Sequence, residues 1–186
     1  ANDSKPYDGK ALTNNGVTVS GDGFVEGEGA SYDVTGSQTT VGTSDNKFTY
    51  TLNEGTSENN YNITKAEGKL TVTADDKEVV VTITGNNKTV KYNGTEQTVT
   101  DYTVTSSNPL YTANDFTFSG KAEAKGTDAG TYKMKLKASD FKNTSNQFSK
   151  VKFVVVDGTL TIEKRNVTLT SGTSSRPYTG EALTND

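Results

Sequence analysis

The sequence predicts an all-β chain that contains two tandem small β modules in an elongated array. Three observations support this prediction: short runs of alternating apolar and polar residues, dipeptides that form tight turns, and landmarks that recur at a pitch of about 86 residues. The hydrophobic fraction is only 30%, which favours two small cores over one large core.

Alternating apolar positions mark the predicted strands. Residues 131–137 place Tyr132, Met134 and Leu136 on one face and lysines on the other, because successive side chains of a strand point to opposite faces. The same pattern predicts strands at 69–73, 159–163 and 166–170, and an inward row formed by Val79, Val81 and Ile83.

Turn dipeptides separate these runs. Asp8-Gly9, Asp22-Gly23, Asn93-Gly94 and Asp157-Gly158 are of the type that accepts a positive φ in a tight turn. No window has a sustained helical period, and one short helical turn is expected at 138–142. Each module is therefore predicted to be an immunoglobulin-like sandwich or a β-grasp-like sheet with at most one short helix.

A Tyr-x-Gly motif recurs in three copies of a repeat. It is present as Tyr7-Asp8-Gly9, Tyr92-Asn93-Gly94 and Tyr178-Thr179-Gly180. We interpret it as a tight turn whose tyrosine packs on the core or on the next module, because a structural need would recur in every copy.

Interior landmarks align the first two copies. A Gly-x-Leu-Thr-(Val/Ile) segment closes them at 68–72 and at 158–162. Gly42-Thr43 aligns with Gly126-Thr127, at an offset of 84 residues. This alignment assigns the extra residues of the second copy to a loop at 141–148, where insertions are tolerated.

The repeat divides the chain into three predicted segments. Residues 1–76 form a first module that lacks its opening strand, residues 77–163 form a complete second module, and residues 164–186 supply the opening strand and turn of a third repeat. Short charged linkers at 74–78 and 163–165 favour an elongated rod.

The predicted strand around 167–170 has no module of its own within the sequence. We expect it to fill the gap in the first module of a neighbouring molecule, a strand exchange through residues 164–186, because an unpaired sheet edge attracts such a donor.

Composition argues against several classes of function. The chain has no Cys, His or Trp, and its net charge is −4. Disulfides, thiolate metal sites and the usual imidazole base are thereby excluded, and an acidic balance disfavours nucleic acid as a partner. We expect no enzymatic activity, no cofactor and no catalytic or metal-binding residue.

No apolar run approaches the ~20 residues needed to cross a bilayer. We therefore expect no membrane contact in this stretch. Ala1 leads straight into polar sequence, so export and anchoring signals are expected outside it.

Clustered charges are interpreted as solvated surface, since the acidic groups lack the spacing of a calcium loop. They are the pairs Glu26 and Glu28, and Asp75 and Asp76, and the lysines at 133, 135 and 137.

Tyrosines could form a platform on which sugars stack, although most are expected in cores, as at Tyr50 and Tyr132. The exposed candidates are predicted to be Tyr61, Tyr102 and Tyr111, because loops carry recognition on β scaffolds. No ligand-binding residue is assigned from the sequence.

The recurring landmarks resemble the YDG/MBG-type tandem repeats of bacterial cell-surface and adhesin proteins. The first copy carries the following segments: Tyr7-Asp8-Gly9, Leu12-Thr13, Asn60-Tyr61-Asn62-Ile63, and Gly68 to Val72. The second copy is similar to a variant found in large surface proteins of gut Firmicutes, with these landmarks: Asn108-Pro109-Leu110-Tyr111-Thr112, Asp115-Phe116, 126–132 and 140–143. It departs from the pattern at 95–99, after its Tyr-x-Gly, and at 145–148.

The resemblance implies an extracellular β module in a long array, attached to the cell wall, with no catalytic residues. The expected function is a structural stalk repeat that projects a binding domain from the bacterial surface. The alternative is an adhesion module that recognises host glycan or glycoprotein. The expected partners are neighbouring repeats of the same chain.

Overall fold

The computed structural model describes residues 1–184 and is nearly all β. The last two residues of the predicted third segment, Asn185 and Asp186, lie outside the described residues. The first half of the chain contains β1 (Asp3–Pro6), β2 (Ala30–Val34), β3 (Gly42–Asn46), β4 (Phe48–Leu52) and β5 (Gly68–Thr73). The second half contains β6 (Val79–Gly85), β7 (Lys88–Lys91), β8 (Gln97–Thr100), β9 (Tyr102–Ser106), β10 (Phe116–Phe118), β11 (Glu123–Gly126), β12 (Gly130–Lys133), β13 (Phe141–Asn143), β14 (Val151–Val156) and β15 (Thr159–Glu163).

The all-β class predicted from the sequence is confirmed. The helical content of the described residues is confined to single 3₁₀ turns, at Glu58–Asn60, Ala113–Asp115 and Ala138–Asp140. The last of these lies in the predicted turn at 138–142, whereas the turn at Ala113–Asp115 was not predicted.

The second half of the chain is organised around a parallel pair of strands. β6 runs parallel to β14, with Val79 opposite Val151, and β7 runs parallel to β15, with Lys88 opposite Leu160. Antiparallel strands flank this pair, β9 beside β6 and β12 beside β15. An immunoglobulin-like sandwich contains antiparallel sheets, so the parallel pairs β6–β14 and β7–β15 distinguish the second half from that alternative.

The two parallel pairs, β6 with β14 and β7 with β15, form one ribbon. This ribbon bends where Gly85 and Gly158 approach each other. A Cβ on Gly85 would overlap the backbone of Gly158, and a Cβ on Gly158 would lie 2.6 Å from Asn86 O and 2.6 Å from Met134 Sδ. Both strands cross here from one three-stranded sheet to the other. Gly158 was predicted to supply a positive φ, but it is needed for this close approach instead.

The first half of the chain repeats part of this arrangement. β1 runs parallel to β5, and β3 runs antiparallel to β5 on its other side. β2 and β4 form a separate antiparallel pair. A Cβ on Gly68, at the start of β5, would overlap the backbone of Ala1. The registers align Gly68 with Gly158 and Ala1 with Asn86, so the close contact between Gly158 and Asn86 recurs in the first half.

Strand registers correct one detail of the repeat alignment. Gly42 lies opposite Val72, and Gly130 lies opposite Ile162. Gly42 therefore corresponds to Gly130, at an offset of 88 residues, and not to Gly126. Some of the extra residues of the second copy thus precede Gly130 rather than lying in the loop at 141–148.

Three apolar clusters form the core. Two lie in the second half, one under β6 and one under β15, and a small cluster in the first half consists of Leu12, Leu70 and Val72. The predicted inward row is confirmed, since Val79, Val81 and Ile83 are all at most 1% exposed.

Two predicted strands differ in the structure. The strand at 131–137 ends at Lys133 because Lys135 adopts a φ of +62°, and the Asp157 carboxylate accepts hydrogen bonds from the Lys135 and Leu136 N–H groups. Met134 and Leu136 are buried nonetheless. Residues 166–170 form no strand and are exposed, because no other strand of the described chain pairs with them.

Adding a methyl group at the ribbon contact should destabilise the second half of the chain. We expect Gly158→Ala to lower the free energy of unfolding by about 2 kcal/mol or more, because overpacking against backbone cannot relax through a side chain. Gly130→Ala is the matched control, since its Cβ would meet nothing closer than 3.8 Å. Urea denaturation tests both, and equal stability of the two variants would contradict the role of the contact.

Candidate functional site: the junction between the modules

Tyr7 connects the apolar clusters of the two halves of the chain. Its ring packs against the cluster of Leu12, Leu70 and Val72 and also against the cluster under β6. It meets Phe148 edge to face, with ring centroids 5.6 Å apart, a geometry that aromatic pairs favour. The interpretation that the motif tyrosine packs on the core or the next module holds for Tyr7, whereas Tyr92 is 37% exposed and Tyr178 is 97% exposed.

The glycine of the same motif makes room for the second half of the chain. Gly9 has a φ of +74°, which glycine adopts without steric cost. A Cβ on Gly9 would lie 3.0 Å from Leu110 Cδ2. The turn therefore requires glycine twice, once for the backbone and once for the approach of Leu110.

Hydrogen bonds fix the segment that connects the halves. The Asp75 N–H donates to Gln147 O at 2.9 Å, and the Ser149 N–H donates to Asp75 O at 2.9 Å. The Gln147 side chain reaches further into the first half, where its Oε1 accepts a 2.8 Å hydrogen bond from the Val41 N–H. The connecting segment is thus held by a short parallel bridge rather than being a free linker.

A charge pair closes the turn on its outer side. Lys5 Nζ lies 2.7 Å from Asp8 Oδ1, and this hydrogen bond, together with the Lys10 N–H that Asp8 also accepts, lowers the pKa of the Asp8 carboxyl. A shallow cleft of about 460 Å³ lies between this turn and Leu110. Because the pair is exposed, its contribution to stability is small.

The second Tyr-x-Gly turn has the same shape but no neighbour. Gly94 has a φ of +79°, as Gly9 does, and a Cβ there would meet nothing within 4 Å. Tyr92 is 37% exposed. The turn that forms the junction in the first copy is therefore available at the far end of the second copy.

The tyrosines predicted to be exposed are mostly packed. Tyr111 is 3% exposed, and its phenol oxygen lies 3.1 Å from Asp115 O and 3.0 Å from Asn143 Oδ1. Tyr102 packs against Phe118 and Phe141. The prediction for Tyr111 is wrong because its ring fills the cluster under β6, although it lies on a loop.

Tyr61 is half-buried on the wall of an open groove of about 620 Å³ in the first half of the chain. Its hydroxyl donates to Glu28 Oε2 at 2.6 Å, and this hydrogen bond raises the pKa of the phenol. Glu28 thereby has a partner, while Glu26 is exposed.

Within residues 1–184, no group of three or more Asp, Glu, His or Cys side chains could hold a metal ion. The lysines at 133, 135 and 137 are exposed. In the same part of the chain, no helix has the length and hydropathy to span a membrane.

The sequence did not reveal Leu110, Gln147 and Phe148 as junction residues. Gln147 and Phe148 lie in the segment 145–148, where the second copy departs from the repeat pattern, whereas Leu110 lies in a landmark segment that gave no sign of a contact between the halves.

Comparison with known families identifies the second half of the chain. Residues 79–164 match the family model described as MBG domain. This match is consistent with an MBG/YDG-type repeat, as the resemblance of the landmarks implied, and it covers nearly the same residues as the predicted second module. No curated protein and no solved structure matches the chain.

Removal of the Tyr7 ring should weaken the packing between the two halves of the chain. We expect Tyr7→Ala to lower the free energy of unfolding by about 2–3 kcal/mol, because both apolar burial and the edge-to-face contact are lost. Tyr92→Ala is the matched control, with an expected loss below about 1 kcal/mol. Chemical denaturation followed by tyrosine fluorescence compares them, and equal losses would argue against a special role of Tyr7.

The buried phenol of Tyr111 should make stability fall at alkaline pH. Burial and, second, the Asp115 charge raise the pKa of Tyr111 to about 12, whereas an unfolded tyrosine titrates near 10. From about pH 10 to 12 the unfolded chain loses this proton first, so the stabilisation is lost as pH rises.

We expect Tyr111→Phe to weaken this pH dependence and to cost about 1 kcal/mol at neutral pH through the lost hydrogen bond. Urea denaturation at stepwise pH measures both effects. Tyr178→Phe, at a side chain that is 97% exposed, should leave the profile unchanged. An identical alkaline slope for Tyr111→Phe and the parent chain would contradict the assignment.

Proposed function

We propose that this chain is a structural stalk repeat of a bacterial cell-surface adhesin, which projects a binding domain away from the cell wall. In this role the modules work outside the cell, attached to the wall, and perform no catalysis. Their direct partners are neighbouring repeats of the same chain.

The observation that carries this proposal is the Tyr7 junction. A spacer needs modules that keep a fixed orientation, and this junction combines an apolar contact, a backbone bridge and a side-chain hydrogen bond from Gln147. The motif that builds it recurs at Tyr92 and at Tyr178, so the same joint can be formed at each repeat. Repetition of one interface is how solenoid and array proteins extend.

The burial of Tyr111 and Tyr102 also favours the spacer over the alternative of host glycan recognition. Both rings pack in the core of the second half, where a sugar could not stack on them.

A pair of glycine substitutions tests the fixed orientation. Gly9→Val and Gly94→Val place the same β-branched side chain at nearly the same positive φ, but only the first would push against Leu110. We expect Gly9→Val to broaden the distribution of angles between the halves, measured by small-angle scattering extrapolated to zero concentration. Gly94→Val should leave that distribution unchanged.

A broad distribution in the parent chain would contradict a rigid spacer. A glycan-array screen of the same protein addresses the alternative, and clear saturable binding of one glycan class would overturn the spacer proposal.

A further inference from the structure

A side-chain amide in the second Tyr-x-Gly turn accepts three hydrogen bonds through one oxygen atom. Asn93 Oδ1 accepts from the Thr95 N–H at 3.0 Å, from Thr95 Oγ1 at 2.9 Å and from Gln97 Nε2 at 3.1 Å. A backbone N–H can only donate, so the atom that it faces is the carbonyl oxygen of the amide. Gln97 Nε2 also donates to Thr95 Oγ1 at 3.1 Å, which orients the two side-chain donors together.

These three donors lie where negative charge develops when a nucleophile attacks the Asn93 amide. Attack on Cγ converts the carbonyl oxygen into an oxyanion, and donors that are already in place stabilise that charge. The turn is exposed to solvent, so the stabilisation is smaller than in a buried catalytic site. The carbonyl group of Asn93 is therefore polarised before any reaction begins.

The residue after Asn93 supplies a nucleophile. Gly94 has no Cβ, so its peptide nitrogen can approach the preceding side chain more closely than the nitrogen of a bulkier residue. Within residues 1–184, neither the Gly94 N–H nor the Asn93 side-chain NH2 donates a hydrogen bond. A Cβ on Gly94 would meet nothing within 4 Å, so water and hydroxide have access to both groups.

The other Asn-Gly dipeptide of the chain, Asn15-Gly16, lacks both features. The Gly16 N–H donates to Asn14 Oδ1 at 2.8 Å, so this nitrogen is already engaged. Among the described residues, no donor contacts the Asn15 side-chain oxygen. The dipeptide sequence is the same at both positions, and the structure distinguishes between them.

The first copy of the repeat has the same turn with a carboxylate in place of the amide. Asp8 Oδ1 accepts a hydrogen bond from the Lys10 N–H at 2.9 Å, and this contact corresponds to the one between Asn93 and Thr95. Hydrogen bonds from Lys5 and Lys10 lower the pKa of the Asp8 carboxyl. Asp8 is therefore ionised at neutral pH, and an ionised carboxylate resists attack by a nucleophile.

We propose that Asn93 is a site of spontaneous deamidation, promoted by the three donors on its Oδ1. Hydroxide removes the proton of the Gly94 N–H, this nitrogen bonds to Asn93 Cγ, and the side-chain nitrogen takes a proton from water and leaves as ammonia. Water then opens the resulting cyclic imide at one of its two carbonyl groups. Opening at the side-chain carbonyl leaves an aspartate, and opening at the main-chain carbonyl leaves an isoaspartate.

The reaction changes the turn in charge and in length. Either product adds one negative charge, and the isoaspartate also lengthens the main chain by a methylene group before Gly94. In the first copy, the equivalent turn lies so close to Leu110 that a Cβ on Gly9 would be 3.0 Å from Leu110 Cδ2. Deamidation therefore alters a turn of the type that forms the junction. This inference goes beyond the spacer role and does not depend on it.

The first test follows deamidation of the full chain by peptide mapping and mass spectrometry during incubation in mildly alkaline buffer. We expect Asn93 to lose its amide about tenfold faster than Asn15 in the folded chain, because only Asn93 has the three donors beside an unpaired N–H. In guanidinium chloride both dipeptides lose their structure, so the two rates should converge. Equal rates in the folded chain, or a faster reaction at Asn15, would overturn the proposal.

The second test removes one donor. Gln97→Ala deletes the hydrogen bond from Nε2 and keeps both Thr95 contacts. We expect it to slow deamidation at Asn93 about threefold or more, as the loss of one hydrogen bond implies, and to leave the rate at Asn15 unchanged.

Gln38→Ala is the matched control for this substitution. The Gln38 side chain donates to Thr40 O in the first half of the chain, so its removal should leave the rate at Asn93 unchanged. Urea denaturation checks that both variants are folded. The same Asn93 rate in Gln97→Ala and in the parent chain would refute the promotion by the donors, and with it the proposal.

Discussion

The parallel pairing of the first two strands of a module with its last two strands is the constraint on which the rest of the structure depends. β6 and β14 bond along their length, and the pair continues into β7 and β15 after the bend at Gly85 and Gly158. Both apolar clusters of the second half form against this ribbon. In the second half β6 lies between β9 and β14, whereas the first half has an open groove lined by residues 17–25 and 60–65.

This constraint also determines how a chain with few apolar residues folds. The buried residues of β6 and of β15 belong to separate small apolar clusters. Aromatic rings make up most of the cluster under β6. The first half has a small cluster formed by Leu12, Leu70 and Val72. The Tyr7 ring packs against this cluster and also against the cluster under β6 in the second half. Part of the stabilising burial of the first half therefore lies at the junction.

Local patterns predicted those parts of the fold that depend on local rules. Alternation identified β5, β15 and the inward row of β6, and the Asp-Gly turn at Gly9 has the expected positive φ. Alternation alone could not show that Lys135 ends β12, because that depends on the distant Asp157 carboxylate. Nor could it show that Gly158 is kept for contact with Asn86, or that Gln147 joins Val41, since both are long-range approaches.

Exposed apolar groups in this chain lie at positions whose counterparts in the other copy of the repeat are packed. Tyr92 is exposed where its counterpart Tyr7 is packed against the next module. Val19 is exposed where its counterpart Val104 lies beside β6. Leu169 is exposed where its counterpart Ile83 is fully buried. Each exposed position thus has a packed counterpart at the equivalent place in the other copy, so the repeat relates these apolar groups to one another more directly than the surface does.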